Sequence, residues 1–86
     1  MSYKIIYTKR ALKDIPKLQT SNLADKTKQL IALIKQDPFT TPPSYEKLQG
    51  DLKGAYSRRI NIQHRLVYEI LQDKTIKIIS MWTHYE

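Results

Sequence analysis

The chain has no cysteine, only two glycines, one phenylalanine, one tryptophan and two histidines in 86 residues. Without cysteine there is no disulfide framework, no thiolate zinc site and no iron–sulfur cluster. Two histidines are too few for most imidazole metal sites. The scarcity of glycine, with only four prolines, excludes a flexible low-complexity chain. Long hydrophobic runs are missing too: the longest aliphatic stretch, residues 30–34, is far short of a membrane span. The basic start, Met1 to Arg10, has too short an apolar run for a secretory leader, so a cytoplasmic protein with no membrane association is expected.

What is present is ordinary for a soluble globule: 41% hydrophobic and 27% charged residues. A single domain spanning 1–86 is expected. A chain of this size buries roughly 60–65% of its unfolded surface, enough for one pair of layers. The net charge is +7, and it is uneven: residues 1–36 carry eight basic and two acidic side chains, residues 37–86 seven and six. The plain explanation is solvated helix faces; the sharper one is a surface that docks on a polyanion such as RNA.

Residues 3–7 are β-rich and short, and read as a strand. Thr8 is a candidate N-cap, and Leu12, Ile15 and Leu18 recur at helical spacing after it. Pro16 falls inside that pattern, which predicts a kinked or irregular helix. Asn22 and Asp25 resemble a capping box opening a second helix, with Leu23, Thr27, Leu30, Ile31 and Ile34 on one face and Pro38 ending it. Residues 38–54, with three prolines and two glycines, read as one long loop of the kind that often carries function. Three strands are expected after it, at 55–62, 64–71 and 75–83, joined by short antiparallel connections. In the first of these, Tyr56, Arg58, Ile60 and Ile62 alternate with Ser57, Arg59 and Asn61. The order β-α-α-β-β-β predicts an α+β fold, two helices packed on a mostly antiparallel twisted sheet.

The anomaly in this pattern is polar. Arg58, Arg59, His64, Arg65 and His84 lie in the most apolar, sheet-forming third of the chain. Each alone is explained by charge protecting a strand edge. As a set, with Glu46 in the long loop, they suggest a site. The residue types suit RNA cleavage by its own 2′-hydroxyl. Glu46 would take the 2′-proton, Arg65 and Arg59 would hold the phosphate, and His84, with an ordinary pKa of ~6.5, would protonate the leaving 5′-oxygen. Tyr56, Trp82 and Tyr85 could stack bases. His64 follows the hairpin turn, where a hydrogen bond within the turn is sufficient reason for it. No cofactor and no metal are needed for this chemistry.

The run Tyr45-Glu46-Lys47-Leu48, then Gly50-Asp51-Leu52-Lys53-Gly54, then Ser57-Arg58-Arg59-Ile60, then His64-Arg65-Leu66-Val67-Tyr68, and the closing Trp82-Thr83-His84-Tyr85 resemble the Txe/YoeB family. These are bacterial type II toxins of the RelE/ParE superfamily, and the resemblance covers essentially the whole chain. It implies a RelE/ParE-like fold and a ribosome-dependent mRNA endonuclease acting in the ribosomal A site and stopping translation. Carried over by position, Glu46 is the general base, Arg65 the phosphate-stabilising arginine, His84 the general acid, Tyr85 a substrate-orienting tyrosine and Arg59 an RNA contact. The implied partners are mRNA, the ribosome with its rRNA, a cognate YefM/Axe-type antitoxin and, as in some relatives, a second copy of the toxin. Two departures stand out. Gln49-Gly50 replaces a Lys-His pair found in some members, and Glu86 extends the chain past the His-Tyr end. A ParE-like inhibitor of a protein target shares the superfamily fold but would not need Glu46, Arg65, His84 and Tyr85 together. A basic RNA-binding module without turnover is the third reading.

Overall fold

The computed structural model describes residues 2–42 and 44–84, the side chains of Thr83 and His84 excepted. Strand β1 (Lys4–Tyr7) leads at once into helix α1 (Lys9–Thr20). Thr8 joins them: its hydroxyl accepts from the Ala11 N–H at 3.1 Å and donates to the Ile79 carbonyl at 2.7 Å. It therefore caps the helix and ties it to the sheet.

α1 runs unbroken through Pro16, where a kink is expected from sequence. Proline withholds one intrahelical bond, to the residue four positions back, which is the exposed Leu12. Water can take up the freed carbonyl there. The expected capping box does not form either. α2 (Ala24–Gln36) starts after Leu23 with no side-chain cap. Asn22 instead closes α1 in the left-handed region, at φ 61°. Its N–H donates to the Gln19 carbonyl and that of Leu23 to Leu18, the two bonds of a Schellman motif. Asparagine is one of the few residues that adopts this conformation readily.

The stretch expected as a loop contains a fifth strand, β2 (Tyr45–Lys47), and a 3-10 turn (Gly50–Leu52). Three residues, half-buried at best, are too few to show a period of two. β3 (Ala55–Arg59), β4 (His64–Leu71) and β5 (Thr75–His84) complete the sheet. Its order is β1-β5-β4-β3-β2, with β1 parallel to β5 and every other pair antiparallel. β3 ends at Arg59, earlier than its alternation suggests. The Asn61 side-chain oxygen accepts from the N–H groups of Gln63 (2.9 Å) and His64 (2.7 Å) and folds the chain into a turn.

Leu66, Tyr68, Ile76 and Ile78 face Ala11, Leu18, Leu30 and Ile34 of the two helices and form the core. Each large apolar side chain buried there contributes about 1.5–3 kcal/mol. The β4–β5 ladder slips twice, between the Arg65, Val67 and Tyr68 pairings, because β5 carries extra residues between Ile78 and Thr83. α1 satisfies the backbone groups in this bulged stretch. Thr8 binds the Ile79 carbonyl, and the buried Asp14 carboxylate accepts from the Met81 N–H at 3.0 Å.

Candidate functional site

Register places the site. In an antiparallel sheet, residues directly opposite share a face. Glu46 pairs with Ser57, Ser57 with Val67, and Arg59 with Arg65. Strands β2, β3 and β4 therefore bring Glu46, Ser57, Arg59 and Arg65 onto one face. Alternation sends Tyr45, Tyr56 and Arg58 to the other.

These side chains line a cleft of about 600 Å3 that Lys26 and Leu30 of α2, Ser44, Asn61 and Ile62 complete. Arg65 Nη1 lies 3.2 Å from Glu46 Oε1 and donates to Ser57 Oγ at 3.5 Å. The Arg65 side chain is 18% exposed and that of Glu46 64%. The arginine is thus held by the sheet while the carboxylate reaches into solvent. An ion pair this open contributes less than about 1 kcal/mol, so an incoming anion can displace it at small cost. Arg59 and Arg65 stand directly opposite each other, an arrangement that repels unless an anion lies between them. With Lys26 they outnumber Glu46 by two charges, which favours a phosphodiester in the cleft.

The five polar groups singled out in the strands do not converge. Arg58 is fully buried, on the face away from the cleft. Its Nε donates to the Tyr68 hydroxyl at 3.1 Å and its Nη2 to the Pro38 carbonyl at 2.9 Å, while the Tyr68 hydroxyl donates to the same carbonyl at 2.9 Å. The guanidinium also lies over the Tyr45 ring, 5.2 Å from its centre. Arg58 anchors the segment leading to β2, and β2 carries Glu46. Burial pushes the Tyr68 hydroxyl above its ordinary pKa, against the opposing pull of Arg58. His64 stacks on Trp82, with ring centres 3.7 Å apart, and its backbone N–H closes the Asn61 turn.

Two of the expected base-stacking rings are also accounted for otherwise. Tyr56 packs among Phe39, Tyr45 and Tyr68. Trp82 lies between His64 and the Pro16–Thr20 end of α1, none of which lines the cleft. His84 is placed by its backbone at the end of β5, opposite His64 and next to the Thr83–Arg65 pair. Its side chain and the whole of Tyr85 lie outside the described residues. Gly50 sits at φ +68° with open space where a Cβ would project, so conformation rather than crowding favours glycine there. Ser57, Lys26 and Ile62 line the cleft as well, although none was among the candidate site residues. Ser57 was legible in the alternation that it shares with Arg59; the helix–sheet approach that adds Lys26 had no local signal.

A profile of the YoeB-like toxins of bacterial type II toxin–antitoxin systems matches residues 7–85. The chain is 39% identical over 85 residues to a toxin YoeB of Synechocystis, covering 96% of this chain and 98% of that one. It is 31% identical to the toxin YoeB of Escherichia coli K12 over 95% of this chain and 99% of that one. Among solved structures, a YoeB/ParE toxin from Agrobacterium tumefaciens superposes with a TM-score of 0.86 at 30% identity, over 95% of this chain and 99% of that one. The toxin of a YoeB–YefM complex from Staphylococcus aureus superposes at 0.81 and 35%, over 99% and 100%. Fold and sequence relatives agree, and the chain belongs to the YoeB-like toxins of bacterial type II toxin–antitoxin systems.

Proposed function

We propose that this toxin is an endoribonuclease that cleaves translated mRNA in the ribosomal A site. The observation that carries the reading is the cleft itself: a carboxylate and an arginine 3.2 Å apart, with a second arginine directly across the strands. The Glu46 carboxylate takes the proton of the 2′-hydroxyl, and the 2′-oxygen attacks the adjacent phosphorus. Arg65, with Arg59, holds the non-bridging oxygens as charge builds on them. His84 gives a proton to the departing 5′-oxygen, and Tyr85 orients the substrate beside it. The products are a 2′,3′-cyclic phosphate, or the 3′-phosphate it hydrolyses to, and a 5′-hydroxyl. No step needs a metal or cofactor.

Positioning supplies much of the rate, since Arg65 is fixed by the sheet before RNA arrives. The lysines of the two helices suit docking on ribosomal RNA. A YefM/Axe-type antitoxin neutralises the toxin in the cytoplasm, its C-terminal segment covering the cleft. This partner is proposed from the relatives, which include the YoeB–YefM complex of Staphylococcus aureus; a YoeB dimer is known from the same organism. Primer extension on a defined mRNA in a purified translation system, with and without ribosomes, tests the reading. Ribosome-dependent cuts, lost with Glu46→Gln, are expected. Blocked translation or replication without any cut would reject catalysis and favour a ParE-like action on a protein.

A further inference from the structure

The cleft is larger than the reaction needs. A volume of about 600 Å3 is that of a site enclosing a whole small ligand, and one phosphate group fills little of it. Glu46, Ser57, Arg59 and Arg65 occupy the part formed by the strands. The remainder is walled by Ile62, Leu30 and Lys26, which the reaction does not use.

Ile62 has no structural occupation. It is 87% exposed, whereas the next most exposed large hydrophobic residue among those described, Leu12, is at 51%. Continued as a strand, the alternation of β3 would carry Ile62 to the same face as the buried Ile60. The Asn61 turn prevents this. The Asn61 side chain accepts two N–H groups, and the Ile60 N–H donates to the His64 carbonyl at 2.9 Å. A turn held this way presents an apolar side chain to water in one fixed position, next to two arginines. Lys26, exposed in the first turn of α2, lines the same cleft and joins none of the ion pairs among the described residues.

We infer that Ile62 and Lys26 form a nucleotide subsite beside the reacting phosphate, Ile62 giving the apolar surface on which one base of single-stranded RNA rests and Lys26 meeting the adjoining phosphate. This rests on the cleft being the RNA site. The chemistry fits both ends. Every base has an apolar face, and aliphatic side chains are used elsewhere as wedges against base steps. A lysine takes a phosphate as a point charge without geometric demand. Because Ile62 is preset by its turn, little side-chain or backbone freedom is lost when the base arrives.

The test uses two uncleavable probes: a fluorescent 2′-O-methyl RNA hexamer, whose attacking hydroxyl is blocked, and the same sugar–phosphate chain without bases. Ile62→Ser is expected to weaken hexamer binding about 5- to 10-fold, a tenfold change being about 1.4 kcal/mol, and to leave the abasic chain unchanged. Lys26→Gln is expected to weaken both probes similarly and to lower the slope of log affinity against log salt by about one. Ile62→Phe, with a larger flat surface, should tighten the hexamer. Both positions are exposed, so thermal melting of the variants should match the wild type. An equal loss on both probes with Ile62→Ser, no loss on either, or no binding of either probe by the wild type would overturn the inference. Cleavage on ribosomes separates this from the catalytic reading. If the wild type cuts mRNA and Ile62→Ser keeps the same rate and site preference, the subsite alone falls. If the binding results hold and Glu46→Gln still cuts, the catalytic assignment alone falls.

Discussion

Arg58 and Arg59 are neighbours of identical chemistry, and they do opposite things. Arg58 is sealed beneath the sheet, donating to Tyr68 and Pro38. Arg59 stands in the cleft facing Arg65. One step along a strand reverses the face, so one step decides whether a guanidinium is sealed in the fold or lines the cleft. The two are still connected. Arg58 holds the segment from Pro38 toward β2, and β2 carries Glu46 into the cleft. The buried face positions what the open face uses.

The sharpest test of this division is on the open face. Arg65→Gln should lower the cleavage rate by about 10²–10³, the loss typical of one transition-state donor, with an unchanged denaturation midpoint. A large drop in stability instead would make Arg65 a structural residue like Arg58. The reciprocal substitution, Arg58→Met, leaves two buried acceptors short of a charged donor and should cost about 3 kcal/mol in urea unfolding. If the variant is fully stable yet inactive, the division between the faces is wrong. Asp14→Ala strands the Met81 N–H inside the bulged part of β5 and should cost about 2 kcal/mol, read by the same titration. Gly54→Ala is expected to cost about 1–2 kcal/mol, because Gly54 enters β3 at φ +96° while a Cβ there would touch only Glu69 at 4.0 Å. The smallest effect is one of pH. The buried Tyr68 hydroxyl titrates above its ordinary value of 10.0 in the fold. The unfolded chain therefore loses its proton first, and stability should be complete below about pH 10 and decline above it. Tyr68→Phe should flatten that decline; a slope unchanged by it would assign the loss to other groups.

The layered fold was legible because its signals are long. Two apolar helical stripes and three strands of alternating or continuous apolar residues leave few arrangements. What was not legible was short or non-local. β2 has three residues among prolines and shows no period. Asn22 has the type of a cap for the helix that follows, yet it terminates the helix before it, since one residue type serves both ends. The Glu46–Arg65 pairing was readable as chemistry, and its geometry depended on the sheet register. Arg58 and His64 were grouped with the site because composition carries no depth. The alternation that separates Arg58 from Arg59 was already in the chain.

The place of β5 has a consequence for how the protein is made. β1 is made before the other four described strands, yet its partner in the sheet is β5, made after all of them. β4, with Arg65, also waits for β5 on one side. A chain under synthesis therefore keeps an open sheet until β5 has emerged, and contacts this distant in sequence close slowly. Truncated products lack the strand that joins the two ends of the sheet. The sheet that carries Glu46, Arg59 and Arg65 is thus joined to the N-terminal strand only once β5 is in place.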